Sequence, residues 1–307
     1  MSNPTSSGGS ADSYHRPTPA VDVIPSEELL NYVHPSLLDI ELTDSSIKQV
    51  CIGATAMACL VIFVSFHIFG TICLPFYRRM PSKHKTFMCL AVIRGCYGIF
   101  GMVFGGYCLL AYTNLDRDVV FGRSATSTLA MYITVGFFIF ELSAVVISDM
   151  AFGTLSKMLI VHHGLGLISY MNAIQGQENH SFGTKALLLE MSTPFSCLCY
   201  VLLKAGMEKS VLWKVNQIIL VHTFHVRSVV ECYLWYVTYN NWDYIVRDMP
   251  AVSFYLLYTT LSMVTFVMTP YWGYKKTQQL FNPVDWNFQE SRNAQALAAN
   301  GNVKKMI

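Results

Sequence analysis

Seven apolar runs, each about as long as a bilayer is thick, constrain this chain more than any other feature. They lie near residues 50–74, 86–112, 124–149, 155–174, 184–204, 212–239 and 250–274. A spanning helix needs about 20 apolar residues. With no water to satisfy the backbone in lipid, such runs must be helices. The expected fold is therefore an all-α polytopic membrane protein with seven transmembrane helices. Composition agrees: 53% of residues are hydrophobic and only 13% are charged, against about 25% charged in soluble domains.

The flanks divide the chain. Residues 1–46 are rich in Ser, Pro and Gly and carry seven acids. Such a tail cannot bury a core and is expected to be disordered. Residues 47–80 hold the first helix and a loop, 81–276 the other helices, and 277–307 a polar C-terminal tail. The nine cysteines fall in or beside apolar runs, so they read as small packing residues rather than a disulfide framework. Basic residues set the orientation. Arg78, Arg79, Lys83 and Lys85, then Lys204, Lys209 and Lys214, then Lys275 and Lys276 all fall on one side if seven helices span. That side should be cytosolic, which places the N-terminus in the lumen and the C-terminus in the cytosol.

Two short signals follow from this topology. Asn179-His180-Ser181 is a candidate N-glycosylation sequon in a lumenal loop. Lys304 and Lys305 stand at the third and fourth positions from the C-terminus. On a cytosolic tail they resemble the dilysine signal that returns membrane proteins to the endoplasmic reticulum, a receptor-read address. Its readers would be coat machinery of the COPI and COPII kind.

Polar residues inside apolar runs are costly and mark functional candidates. His162 and His163 are adjacent in the fourth run. At 1.5 Å per residue, Arg94, Glu141 and the histidine pair all lie roughly 12 Å from the cytosolic side. His222 lies roughly 15 Å deep in the sixth run. His225, Arg227 and Glu231 continue along that helix, and Glu190 sits in the lumenal half of the fifth. One cavity opening to the cytosol would collect these groups. Simpler readings stand beside this one. Arg94 and Glu141 can pair to neutralise each other. Arg227 and Glu231, four residues apart, can pair on one helix face, and His222 and His225 can be hydrogen-bonded core residues. Adjacent histidines diverge by about 100° on a helix, so one would face the cavity and the other a neighbouring helix. A neutral imidazole can accept an acyl group from a thioester or deprotonate an attacking hydroxyl. With nine histidines in all, four of them in tails or loops, a di-iron site is not expected, and no metal or bound cofactor is.

The histidine pair in the fourth of seven helices resembles the TLC-domain family, named for translocating-chain-associated, longevity-assurance and ceroid-lipofuscinosis proteins. Three further stretches, Leu187–Phe195, Leu202–Gln217 and Thr269–Phe288, resemble its ceroid-lipofuscinosis branch. The likeness covers roughly residues 50–288. It implies a helical barrel of the second to seventh helices with the first outside. It also implies residence in the endoplasmic reticulum and its intermediate compartment, and a role in lipid composition. Ceramide synthases of the wider family use a paired histidine to move an acyl chain from acyl-CoA, and His162 and His163 match it. Their aspartate-rich companion motif has no counterpart here. The implied acceptor is then a glycerophospholipid or lysophospholipid, phosphatidylglycerol among them, with acyl-CoA as co-substrate. The resemblance equally implies a cargo receptor that exports lysosomal enzymes. A lipid sensor without chemistry is a third reading. Membrane lipids are partners in each, and nucleic acid in none.

Overall fold

The computed structural model describes residues 42, 44–111 and 114–282. Most of the N-terminal tail, the retrieval lysines Lys304 and Lys305, and the C-terminal tail from 283 lie outside the described residues.

All regular structure among the described residues is helical. Seven long rods dominate: α1 (Ser45–Cys73), α2 (Ser82–Leu110), α3 (Ala125–Phe152), α4 (Lys157–Gly176), α5 (His180–Lys204), α6 (Val211–Asn240) and α7 (Ala251–Phe281). Five of them, α1, α2, α3, α5 and α7, are long and apolar enough to cross a membrane. α4 and α6 are 20 and 30 residues long. Their polar residues, including His162 and His163 in one and Lys214, His222, His225, Arg227 and Glu231 in the other, make them less apolar than the rest. The fifth rod starts at His180, four residues before its apolar run.

Local chemistry sets the ends. Asp44 caps α1 by accepting the Ser46 N–H at 2.6 Å, and that bond holds its carboxyl below the ordinary pKa. Ser124 and Ser127 form a reciprocal capping box at the start of α3. α3 stops at Gly153, whose φ of +60° is left-handed. Asp149 then ties the turn into α4. It accepts from Thr154 Oγ1 at 2.7 Å, Ser156 N at 2.7 Å and Ser156 Oγ at 3.1 Å.

Two rods are irregular inside. In α5, a 3-10 segment (Leu187–Ser192) separates two α-helical pieces, and Pro194 opens the second. Proline has no N–H for the carbonyl four residues back, which tightens the turn before it. In α7, a π-helical turn (Val264–Met268) precedes Pro270 and swings the last part of the rod inward.

The packing of α2 to α7 closes on itself. α2 packs on α3, α3 on α4, α4 on the first part of α7, the last part of α7 on α6, and α6 on α5, which returns to α2. α1 lies against α3 and α2. The tightest approach is α2 on the 3-10 segment of α5. A methyl placed on Gly101 would lie 2.8 Å from Leu187 O, and one on Gly105 would meet the Leu188 backbone nitrogen closer still. Small residues let membrane helices approach this closely. Gly105→Val should therefore force the rods apart and cost about 1–3 kcal/mol by overpacking. A thermal melt in detergent would show this as a lowered midpoint, and an unchanged one would contradict the packing.

Beneath α1 the short helix Pro75–Arg78 tucks Tyr77 fully inside. Its hydroxyl meets His67 Nδ1 at 2.8 Å and Cys89 Sγ at 3.1 Å. Burial pushes this phenol above its ordinary pKa.

Candidate functional site

A cavity of about 1040 Å³ runs from the histidine pair to the basic end of the protein. Its inner wall draws on α2, α3, α4, α5, α6 and α7. Lys83, Lys157, Lys275 and Lys276 line it nearer the ends of the rods. Pockets for small molecules span about 300–1,000 Å³, so this one can take a large ligand.

Two histidine systems sit side by side on α4. The ring centroids of His162 and His163 are 5.1 Å apart. His162 Nε2 lies 3.6 Å from Glu190 Oε1 on the 3-10 segment of α5. The second oxygen of Glu190 accepts from Thr193 Oγ1 at 2.6 Å, which fixes the carboxylate behind the ring. The Trp272 indole stands nearly perpendicular to the His162 ring, with centroids 5.3 Å apart. His162 therefore fronts the cavity with an acid behind it.

His163 turns toward α3. It packs on Phe138 at 5.6 Å and Phe137 at 6.3 Å between ring centroids. Its Nε2 lies 3.9 Å from Glu141 Oε1. Neither ring nitrogen has a hydrogen-bond partner among the described residues. Both rings line the cavity, but His162 reaches toward α5 while His163 is buried against α3. Gly166, one turn along, takes no part in the cavity; a methyl there would strike Phe138 at 2.9 Å, so its smallness serves the α3–α4 contact.

The charged groups that sequence depth placed together divide three ways. Arg94 and Glu141 pair directly: Arg94 Nε donates to Glu141 Oε1 at 2.6 Å, and Nη2 joins the same oxygen. Glu141 is fully buried, and Arg94 also lines the cavity. Arg227 and Glu231 do not pair directly; Thr269 of α7 stands between them. Arg227 Nη2 donates to Thr269 Oγ1 at 3.1 Å, and Thr269 Oγ1 donates to Glu231 Oε1 at 2.6 Å. Arg227 Nη1 also reaches Ser192 Oγ at 3.1 Å. Its Nε has no hydrogen-bond partner among the described residues, although the side chain lines the cavity.

His222 and His225 correct the expectation from depth. Both are exposed on the outer face of α6, while Phe224 and Arg227 point inward. Depth along a helix fixes the level of a side chain but not its direction. Three residues separate His222 from His225, which keeps them together, and two separate His225 from Arg227, which puts them on different faces.

Ser192, Thr193, Thr269 and Trp272 belong to the site and were not anticipated individually. Their signal lay in the sequence nonetheless, because the stretches 187–195 and 269–288 contain all four.

The sequon residue Asn179 is 5% exposed, with its neighbours His180 at 2% and Ser181 at 1%. Its N–H donates to Val120 O at 2.7 Å. Burial of all three residues speaks against a glycan in the folded chain. Endoglycosidase treatment of the protein from secretory-pathway membranes should leave its gel mobility unchanged; a shift that disappears in Asn179→Gln would contradict this.

A helical, multi-pass membrane protein with a large cavity lined by paired histidines is the class these features define. The chain belongs to the TLC-domain family: the family model TRAM_LAG1_CLN8, TLC domain, matches residues 82–277. Protein CLN8 of Homo sapiens is 34% identical over 256 residues, which are 83% of this chain and 90% of that protein. Protein CLN8 of Mus musculus is 33% identical over 273 residues, 88% and 95% of the two chains. TLC domain-containing protein 4 of Homo sapiens is 26% identical over 149 residues, 48% of this chain and 56% of that one. No solved structure matches significantly.

Proposed function

We propose that this protein is an acyltransferase that moves an acyl chain from acyl-CoA to a glycerophospholipid or lysophospholipid. The observation that carries this reading is His162, set between Glu190 and Trp272 on the wall of a cavity of about 1040 Å³. Seven helices span the membrane in this reading. α2 to α7 form a barrel around the cavity, supported by the closed ring of their packing, and α1 stands outside. The lysine-rich end faces the cytosol, where acyl-CoA is found, and the protein resides in the endoplasmic reticulum and its intermediate compartment.

The residues present suit the chemistry. Lysines are strong phosphate binders, and Lys83, Lys157, Lys275 and Lys276 would meet the CoA phosphates at the entrance. The thioester would then lie near His162. An acceptor hydroxyl attacks the thioester carbonyl carbon; a C–O bond forms as the C–S bond breaks. His162 takes the hydroxyl proton and returns it to the departing CoA sulfur. Glu190 holds Nε2 and steadies the imidazolium that forms. The guanidinium of Arg227, also on the cavity wall, supplies positive charge to the carbonyl oxygen as it gains charge. His163, with Glu141 and Arg94 behind it, positions α4.

The test is acyl-CoA-dependent acylation of lysophospholipids and phosphatidylglycerol by the purified protein. The His162→Ala/His163→Ala double variant, present at normal abundance, should be inactive. Unchanged turnover would remove the enzyme reading. The second reading, export of lysosomal enzymes with retrieval by Lys304 and Lys305, rests on those two residues of the sequence. Hydrolase export that survives the histidine changes and fails when both lysines are replaced would favour it.

A further inference from the structure

α6 has two faces with the same period. Its inner face buries Leu220, Phe224, Arg227, Glu231 and Leu234. Its outer face exposes Ile218, His222, His225, Val229, Cys232 and Tyr236, at alternating steps of four and three. That is the spacing of a coiled-coil seam. A straight helix drifts only about 20° per heptad from such a repeat, so the stripe runs nearly straight along the rod.

The two histidines occupy the middle of this stripe. They lie about 16 and 21 Å from the start of the helix at 1.5 Å per residue, close to the centre of the rod. In the seven-span reading proposed above, on which this inference rests, polar side chains at that depth almost always face a protein interior or water, yet these face outward. His222 Nδ1 lies 2.8 Å from Ile218 O. A proton on Nδ1 makes that bond and leaves Nε2 as an outward acceptor. His225, with its ring centroid 5.7 Å away, can supply an N–H.

We propose that a second copy of this chain covers this stripe, forming a two-fold dimer through α6. Copies inserted in one membrane share an orientation, so a two-fold axis along the membrane normal sets each residue beside its counterpart at equal depth. The histidine layers of the two copies then coincide, and an acceptor on His222 of one meets a donor on His225 of the other. Ile218 and Val229 pack above and below. No other part of this chain suits the stripe, because residues 1–46 and 283–307 are polar and the stripe crosses the apolar layer. The cavity opens on the opposite face of α6, so the dimer leaves it free.

Cys232 lies on the stripe and supplies the test. Copper-phenanthroline oxidation of the full-length protein in membranes should give a disulfide-linked dimer that Cys232→Ser abolishes. In that background, single cysteines at Ile218, His222, His225, Val229 and Tyr236 should restore it. Cysteines at Ile219 and Val226, exposed but about 100° around the helix, should stay at background. A dimer that persists in Cys232→Ser, equal cross-linking at Ile219 and Val226, no cross-linking at any stripe position, or a band that fades as lipid is added in excess would each overturn the proposal.

Discussion

Arg94→Leu should destabilise the protein by about 3–5 kcal/mol, the usual result of removing one partner from a buried ion pair. Glu141 is fully buried, and Arg94 is its direct partner. Without the guanidinium, the carboxylate must remain charged in an apolar wall or take up a proton, and both cost free energy. His163, 3.9 Å from the same oxygen, is too weakly placed to substitute. Thermal unfolding in detergent measures the loss. The Arg94→Leu/Glu141→Leu double variant should recover most of it, because replacing both members of a buried pair is often neutral. A double variant as unstable as the single would mean that the pair is not what holds α2 to α3.

The second large effect separates the two histidines. His162→Ala should lower turnover by about 10²- to 10⁴-fold, the range for loss of a general base, with little change in melting midpoint, because its ring fronts a cavity. His163→Ala should do the reverse. It removes a ring packed on Phe137 and Phe138, so stability should fall while a measurable part of the turnover remains. Glu190→Gln should resemble His162→Ala in direction. Activity assays and melts on the three purified variants check the pattern. Equal losses of activity for His162→Ala and His163→Ala at equal stability would show that the division of roles is wrong.

The apolar runs located every long rod to within a few residues, because length and hydropathy are one-dimensional quantities. What they cannot carry is direction around a helix. His222 reached the expected level and faced away from the cavity. By position Glu190 belongs to the lumenal half of its run, yet it stands beside His162. The 3-10 segment before Pro194 turns it toward α4, and no periodicity rule for a regular helix anticipates that. Trp272 sits near the end of a spanning run, where tryptophan ordinarily marks the membrane interface. Here it follows the π turn of α7 and stands against His162. The Arg94–Glu141 pair was legible for the opposite reason: two lone opposite charges at one depth have few other ways to be satisfied.

The order in which the rods meet has a consequence for synthesis. α7 is the last long rod to emerge, and it packs on both α4 and α6. Ser169 meets Thr260 at 2.8 Å, Asn172 donates to Ser253 at 2.5 Å, and Glu231 accepts from Thr269. Until residues 251–281 arrive, α4 and α6 keep polar groups that nothing yet satisfies. A ribosome-bound chain that ends with α6 therefore has an unsealed flank. Stop codons anywhere before residue 251 should consequently yield products that membrane quality control recognises and destroys, whatever their length.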